Sequence, residues 1–153
     1  MTTTEARLQQ LEDRLAVERV MAEYITLMDA GDYAAYARLF TDDGELMFQN
    51  AHIKGPAAIR DALESASRAG PNGSNPMARL RHMLSNLLIH VDGDRATSSG
   101  RWIVMSAGAD GRPVIGGTGA YQDTLRKVSG AWKFQRRVIT NDIPFIEVAA
   151  LKS

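Results

Sequence analysis

The stretch 79–107, RLRHMLSNLLIHVDGDRATSSGRWIVMSA, decides the architecture. Two long apolar-rich runs, Arg79 to Val91 and Arg95 to Ala107, flank Asp92-Gly93-Asp94. A short Asp/Gly cluster between such runs is a β-hairpin signal. The pattern then repeats. After Asp110-Gly111 comes Val114 to Arg126, and after Ser129-Gly130 comes Trp132 to Thr140. These runs exceed the usual strand length of about five or six residues, and long antiparallel strands twist and curl. Gly116, Gly117 and Gly119 mark where the third run can bend or bulge.

Working back from that stretch, the pattern turns helical. From about Thr4 to Asp29, Leu8, Leu11, Leu15, Met21, Ile25 and Met28 recur mostly at three- and four-residue steps, which predicts one amphipathic helix. Gly31 ends it, and Asp32 caps a short second helix, Tyr33 to Phe40. Thr41-Asp42-Asp43-Gly44 is a turn cluster, and Glu45 to Gln49 a short strand. Gly55-Pro56 opens a third helix with an Ile59, Leu63, Ala66 stripe. The loop Ala69 to Pro76 is expected to be the most mobile part. Helices followed by hairpin-linked strands predict an α+β fold with an antiparallel sheet. Curled over the helices, such a sheet makes a cone around a cavity.

Length and composition bound the function. The chain has 153 residues, 44% hydrophobic and 24% charged, which fits a single folded domain spanning 1–153. Eighteen basic residues balance eighteen acidic ones, so nucleic acid, which is held largely through its phosphates, is not the expected partner. There is no cysteine, which excludes a thiolate nucleophile and any Cys-based metal site. No apolar run approaches the ~20 residues of a membrane span, and Met1 to Glu5 does not begin like a secretory signal. A soluble, cytoplasmic protein is the expectation. No GxGxxG, phosphate loop, HExxH or GxSxG pattern occurs, so neither a cofactor nor a metal is expected. Acid–base chemistry remains well supplied.

Alternation places His82, Leu84, Asn86, Leu88 and His90 on one face of the first long strand. His82 and Asn86 are then either satisfied inside the fold or used in a cavity. Asp29 is either a solvated end-of-helix acid or the border of a pocket. Tyr24, five residues earlier, lies about 140° round the helix. Trp102 pairs by alternation with Val104, Tyr121 with Leu125, and Arg137 with Ile139 and Asn141, while Arg136 falls opposite with Phe134 and Val138. Alternation alone does not decide which arginine points inward. Phe40, Leu84, Leu88 and Trp102 are the expected apolar lining.

These residues resemble a known family. Val20 to Asp32 (VMAEYITLMDAGD), Tyr36 to Gly44 (YARLFTDDG), Lys54-Gly55-Pro56, Arg81-His82 with Asn86, Val91 to Asp94, and Gly130 to Phe134 are similar to SnoaL-like proteins of the nuclear-transport-factor-2-like superfamily. The resemblance covers roughly Leu8 to Asp142. It implies an α+β cone, a strongly curved antiparallel sheet wrapped by three helices. Its members include polyketide cyclases, scytalone dehydratase, a bile-acid dehydratase, a dehydrochlorinase and non-catalytic proteins.

In the dehydratase and dehydrochlorinase branch a His–Asp pair lies at the base of the cone, at positions matching His82 and Asp29, and Tyr24 matches a recurring tyrosine. The bile-acid enzyme has an arginine where this chain has Asn141. The resemblance thus implies a cofactor-independent lyase (dehydratase, elimination or retro-aldol) or isomerase. Its substrate would be an apolar aromatic, terpenoid or steroid-like molecule. His82, Asp29 and Tyr24 would be catalytic. Asn86, Trp102, Tyr121, Phe40, Leu84, Arg137 and Asn141 would contact substrate. A non-catalytic small-molecule binding module is the alternative reading, and an interaction role of the outer sheet face a third. The superfamily also implies a homodimer.

Overall fold

Thr3 opens the first helix: its side chain accepts a hydrogen bond from the Ala6 N–H. In this computed structural model the described residues are 3–108 and 110–143; the end of the expected single domain, 144–153, lies outside them. Helix α1 (Thr4–Ala30) leads into α2 (Tyr33–Ala37), strands β1 (Phe40–Phe48) and β2 (Ala51–Lys54), and α3 (Pro56–Ser67). A short turn of 3-10 helix at Pro71–Gly73 follows. Four long strands complete the order: β3 (Arg81–Asp92), β4 (Arg95–Ala107), β5 (Pro113–Val128) and β6 (Ala131–Ile143). No helix among the described residues is long and apolar enough to cross a membrane.

The α+β cone expected from the sequence is present: three helices lie over a curved, unclosed sheet ordered β2-β1-β6-β5-β4-β3. Three expectations are corrected. The sheet is mixed, because β1 runs parallel to β6 while every other pairing is antiparallel. The second helix stops at Ala37, and the Thr41-Asp42-Asp43-Gly44 cluster lies within β1. There the register against β6 slips between Phe40 and Glu45, so the turn chemistry is spent on an irregularity inside a strand. The short strand β2 was hidden by its own pattern: three of its four residues are exposed.

Helix α1 also departs from a single stripe. Val17, Val20, Met21 and Tyr24 are buried, whereas Leu8, Leu11 and Leu15 are 55%, 60% and 65% exposed. At ~100° per residue the two sets point to nearly opposite sides. The sheet holds α1 from the buried Asp13 onward, through its contacts with Lys127 and Trp132. The core partners of the helix are Tyr36, Phe40, Ile59, Trp102, Val104, Leu125 and Phe134, all buried.

Bulges set the faces of the long strands. The register of β3 on β4 shifts between Ser85 and Leu88, and Asn86 takes a left-handed conformation, φ 51°. The alternation therefore changes phase. His82, Leu84, Leu87, Ile89 and Val91 face inward, while Asn86, Leu88 and His90 are exposed, Leu88 by 73%. A second shift, between Thr124 and Leu125 of β5, leaves Gln135 of β6 without a partner in the ladder. Strict alternation breaks there too: Phe134 and Arg137 are both fully buried, and Arg136 is exposed. In β5, shifts fall beside Gly116 and at Thr118/Gly119, in the glycine cluster that the sequence marks for bending.

Candidate active site

Asp29 is held by the way α1 ends. Gly31 adopts φ 72°, and the Asp32 N–H returns to the Leu27 carbonyl at 3.0 Å while the Gly31 N–H reaches Met28 at 3.1 Å. This paired closure is a Schellman motif. It fixes the last helical turn, and with it the Asp29 carboxylate, against the beginning of β3.

Asp29 meets His82 there. The His82 ring Nδ1 lies 2.6 Å from Asp29 Oδ1, and the His82 backbone N–H donates to Oδ2 at 3.0 Å. Both carboxylate oxygens are engaged by one residue, so the imidazole is held in position and orientation. With Nδ1–H donating to the carboxylate, Nε2 carries the free lone pair. The two side chains are 15% and 17% exposed, enough for a ligand to reach the ring.

His82 borders a cavity of about 270 Å³. Tyr24 and Met28 of α1, Tyr36 of α2, Leu63 of α3, Trp102 of β4 and Tyr121 of β5 are among its walls, which are overwhelmingly apolar. Three phenols face this space. Burial raises the Tyr24 phenol above its ordinary value, against the downward pulls of the Arg137 charge and the Tyr36 hydroxyl. Tyr36 is driven well up by burial and by Tyr24, and Tyr121 is pushed up chiefly by burial. All three are protonated at neutral pH, and the buried Tyr36 hydroxyl has no hydrogen bond of normal geometry among the described residues. The Tyr24 and Tyr36 rings stand 4.5 Å apart, and Tyr24 and Tyr121 5.8 Å.

A base with a free lone pair beside phenols in an apolar pocket can move a proton off one atom while another gains hydrogen bonds.

The structure brings His82, Asp29, Tyr24, Trp102 and Tyr121 together. Others predicted at the site lie elsewhere. Phe40 is fully buried behind Tyr24, 6.5 Å from its ring, and does not reach the cavity. Leu84 packs against the core two residues past His82. Asn86, turned outward by the bulge, borders a shallow surface groove with Glu18 and Ile25. Arg137 is sealed beneath the rings. Asn141 is only half-buried and is not part of the wall. Sequence reading did not place Tyr36 or Leu63 at the cavity. Tyr36 sits on a helix of five residues, too short for periodicity to show which side faces inward. A larger polar trough, about 520 Å³, crosses Glu45, Thr97, Thr124 and Arg136 but contains neither member of the His–Asp pair.

Residues 9–138 match the family described as SnoaL-like domain. No curated protein matches the chain by sequence. Among solved structures, a protein of unknown function from Mycobacterium tuberculosis is 33% identical over 87% of this chain and 78% of its own, with a TM-score of 0.76. A protein from Novosphingobium aromaticivorans, described as nuclear-transport-factor-2-like with a cystatin-like fold, is 29% identical over 97% and 94%, with a TM-score of 0.80. Another from that bacterium, provisionally described as a scytalone dehydratase, is 28% identical over 87% and 86%, with a TM-score of 0.70.

Proposed function

The chain belongs to the SnoaL-like domain family, and from that premise we propose that it is a cofactor-independent lyase or isomerase with His82 as its base. The observation that carries this reading is the 2.6 Å contact of His82 Nδ1 with Asp29 at the wall of an apolar cavity. A side chain meant only to fill space needs no such orientation. The similarity to a structure provisionally described as a scytalone dehydratase points the same way.

In the dehydration form of the reaction, Nε2 of His82 removes a proton from the carbon next to a carbonyl. Asp29 stabilises the imidazolium. The electron pair forms the new double bond and expels the β-hydroxyl, which takes the abstracted proton back from the His82 imidazolium and leaves as water, returning the base to its neutral form. The phenols of Tyr24 and Tyr36 donate to the oxygen on which charge develops. The apolar walls suit a ring-bearing substrate. An apolar cavity of about 150 Å³ holds benzene, so the present one takes a larger ring system.

The test is a panel of apolar cyclic β-hydroxy ketones, followed by the ultraviolet absorbance of the conjugated product. His82→Ala and Asp29→Asn are expected to stay folded and lose roughly 10²- to 10⁴-fold in rate. Full turnover by folded His82→Ala would sink the assignment. Ligand binding with no turnover anywhere in the panel would favour the binding-module reading.

The outer sheet face supports pairing of two copies. Met83 lies opposite Ile103, and Met105 opposite Ile115; Met83 and Ile115 are more than half exposed. Sedimentation of wild type against Met83→Lys/Ile115→Lys checks this: a dimer reduced to monomer is the expected outcome.

A further inference from the structure

Beneath the cavity lies a positive charge that never reaches it. Arg137 is fully buried. Its guanidinium carbon stands 3.8 Å from the ring centre of Tyr24, 4.1 Å from that of Phe134 and 4.2 Å from that of Tyr121. Its Nε and Nη2 donate to the two oxygens of Asp123 at 2.7 and 2.8 Å. Asp123 accepts a further bond from Ser98 Oγ at 2.9 Å, and Nη2 also touches the Met21 sulfur at 3.1 Å. Nη1 is buried and has no hydrogen bond of normal geometry among the described residues. Stability is a weak reason for such a pair, since well-packed apolar residues of similar volume often serve as well or better. Its location gives a stronger one. Of the three rings that cover the guanidinium, those of Tyr24 and Tyr121 are also walls of the cavity.

We propose that Arg137 is a positioning residue: its fork onto Asp123 clamps the Tyr24 ring and holds positive charge behind that phenol, making Tyr24 the donor to the substrate oxygen. The inference rests on the acid–base reading of the cavity and adds to it a residue that does not touch substrate. A fixed charge buried among apolar walls acts at greater strength than in solvent. It also needs no reorganisation when an oxyanion forms. The neighbouring phenols agree in direction. Burial pushes both phenols up; Arg137 pulls both Tyr24 and Tyr36 down, and at Tyr24 it outweighs the upward push of its partner Asp123.

The probe is 2-naphthol, whose absorbance separates the phenol from the naphtholate, with naphthalene as the neutral control. In wild type the naphtholate is expected to bind roughly tenfold or more tightly than naphthalene. Tyr24→Phe should abolish that preference. Arg137→Met combined with Asp123→Leu removes both charges and orphans neither. This pair of changes should lower naphtholate affinity roughly tenfold more than it lowers naphthalene affinity, so that the preference falls roughly tenfold.

A folded paired variant that keeps the whole preference would overturn the proposal. Should the paired variant not fold, Arg137→Lys decides. Lysine carries the charge without the planar fork, and an unchanged preference would overturn the clamp. Wild type that binds naphthalene but does not prefer naphtholate overturns this inference alone. Wild type that binds neither probe overturns the cavity reading together with it.

Discussion

Asp13 and Asp29 are two carboxylates of one helix, about 24 Å apart along its axis at ~1.5 Å per residue, and their surroundings assign them different work. Asp13 accepts from the Trp132 indole at 2.9 Å, from Lys127 at 2.5 Å and from Gln9 at 3.3 Å. Three donors from α1 and the β5–β6 hairpin use up its oxygens, and it joins the helix to that hairpin. Asp29 spends both oxygens on one residue, His82, whose remaining ring nitrogen is left for the cavity. A carboxylate surrounded by donors is a fastener. A carboxylate that orients an imidazole at a cavity wall is, on the function proposed above, half of an acid–base pair. What distinguishes them is whether the chain of contacts ends inside the protein or at an empty space.

That contrast can be broken from either end. The largest effect belongs to Asp29→Asn, which should lower turnover roughly 10²- to 10⁴-fold while the melting temperature moves little. Equal loss of activity and stability would erase the distinction. Asp13→Ala should do the reverse. It leaves the Trp132 N–H and Lys127 without their acceptor, at a cost of about 1–3 kcal/mol. In a domain of this size that is a fall of roughly 2–4 °C per kcal/mol, with probe binding unchanged.

Gly119→Ala sharpens the picture at the cavity wall. A Cβ there would stand 1.9 Å from the Thr140 carbonyl oxygen and 2.5 Å from the Trp102 ring. Overpacking of this kind costs about 1–3 kcal/mol, and the displaced indole should weaken naphthalene binding. Unchanged melting and binding would show that the wall yields freely.

The smallest effect is a pH dependence. Burial pushes the Asp13 carboxyl up, but the hydrogen bonds from Lys127, Trp132 and Gln9 outweigh it and hold the group below the ordinary carboxylate value. A lowered folded value means that the carboxylate's contribution is complete at neutral pH. It is lost as pH falls from about 4 through the folded value. Melting curves of wild type and Asp13→Ala should converge as pH drops through that range. A constant gap between them would show that the contact does not depend on charge.

Much of this was legible in the chain itself. The four long strands, their hairpin turns, the end of α1 at Gly31 and the start of α3 at Pro56 all follow from local chemistry. They are short-range signals that packing had no reason to override. The meeting of Asp29 with His82 came from family resemblance, not from spacing, because a contact across 53 positions leaves no periodic trace. Asn86 illustrates the opposite failure. Its alternation with His82 is correct as arithmetic, yet the bulge between Ser85 and Leu88 turns it to the surface.

By itself, then, the sequence determined the class of fold, the order of elements and the supply of acid–base side chains, since each depends on residues a few positions apart. Tertiary structure decided which side chains share a space. It placed β1 parallel to β6, sent Arg137 under the rings and Arg136 into solvent, and brought Tyr36 beside Tyr24. The physical reason is that a side chain's face in a strand has a period of two. One extra residue at a bulge reverses every assignment beyond it, and bulges answer to the curvature of the whole sheet.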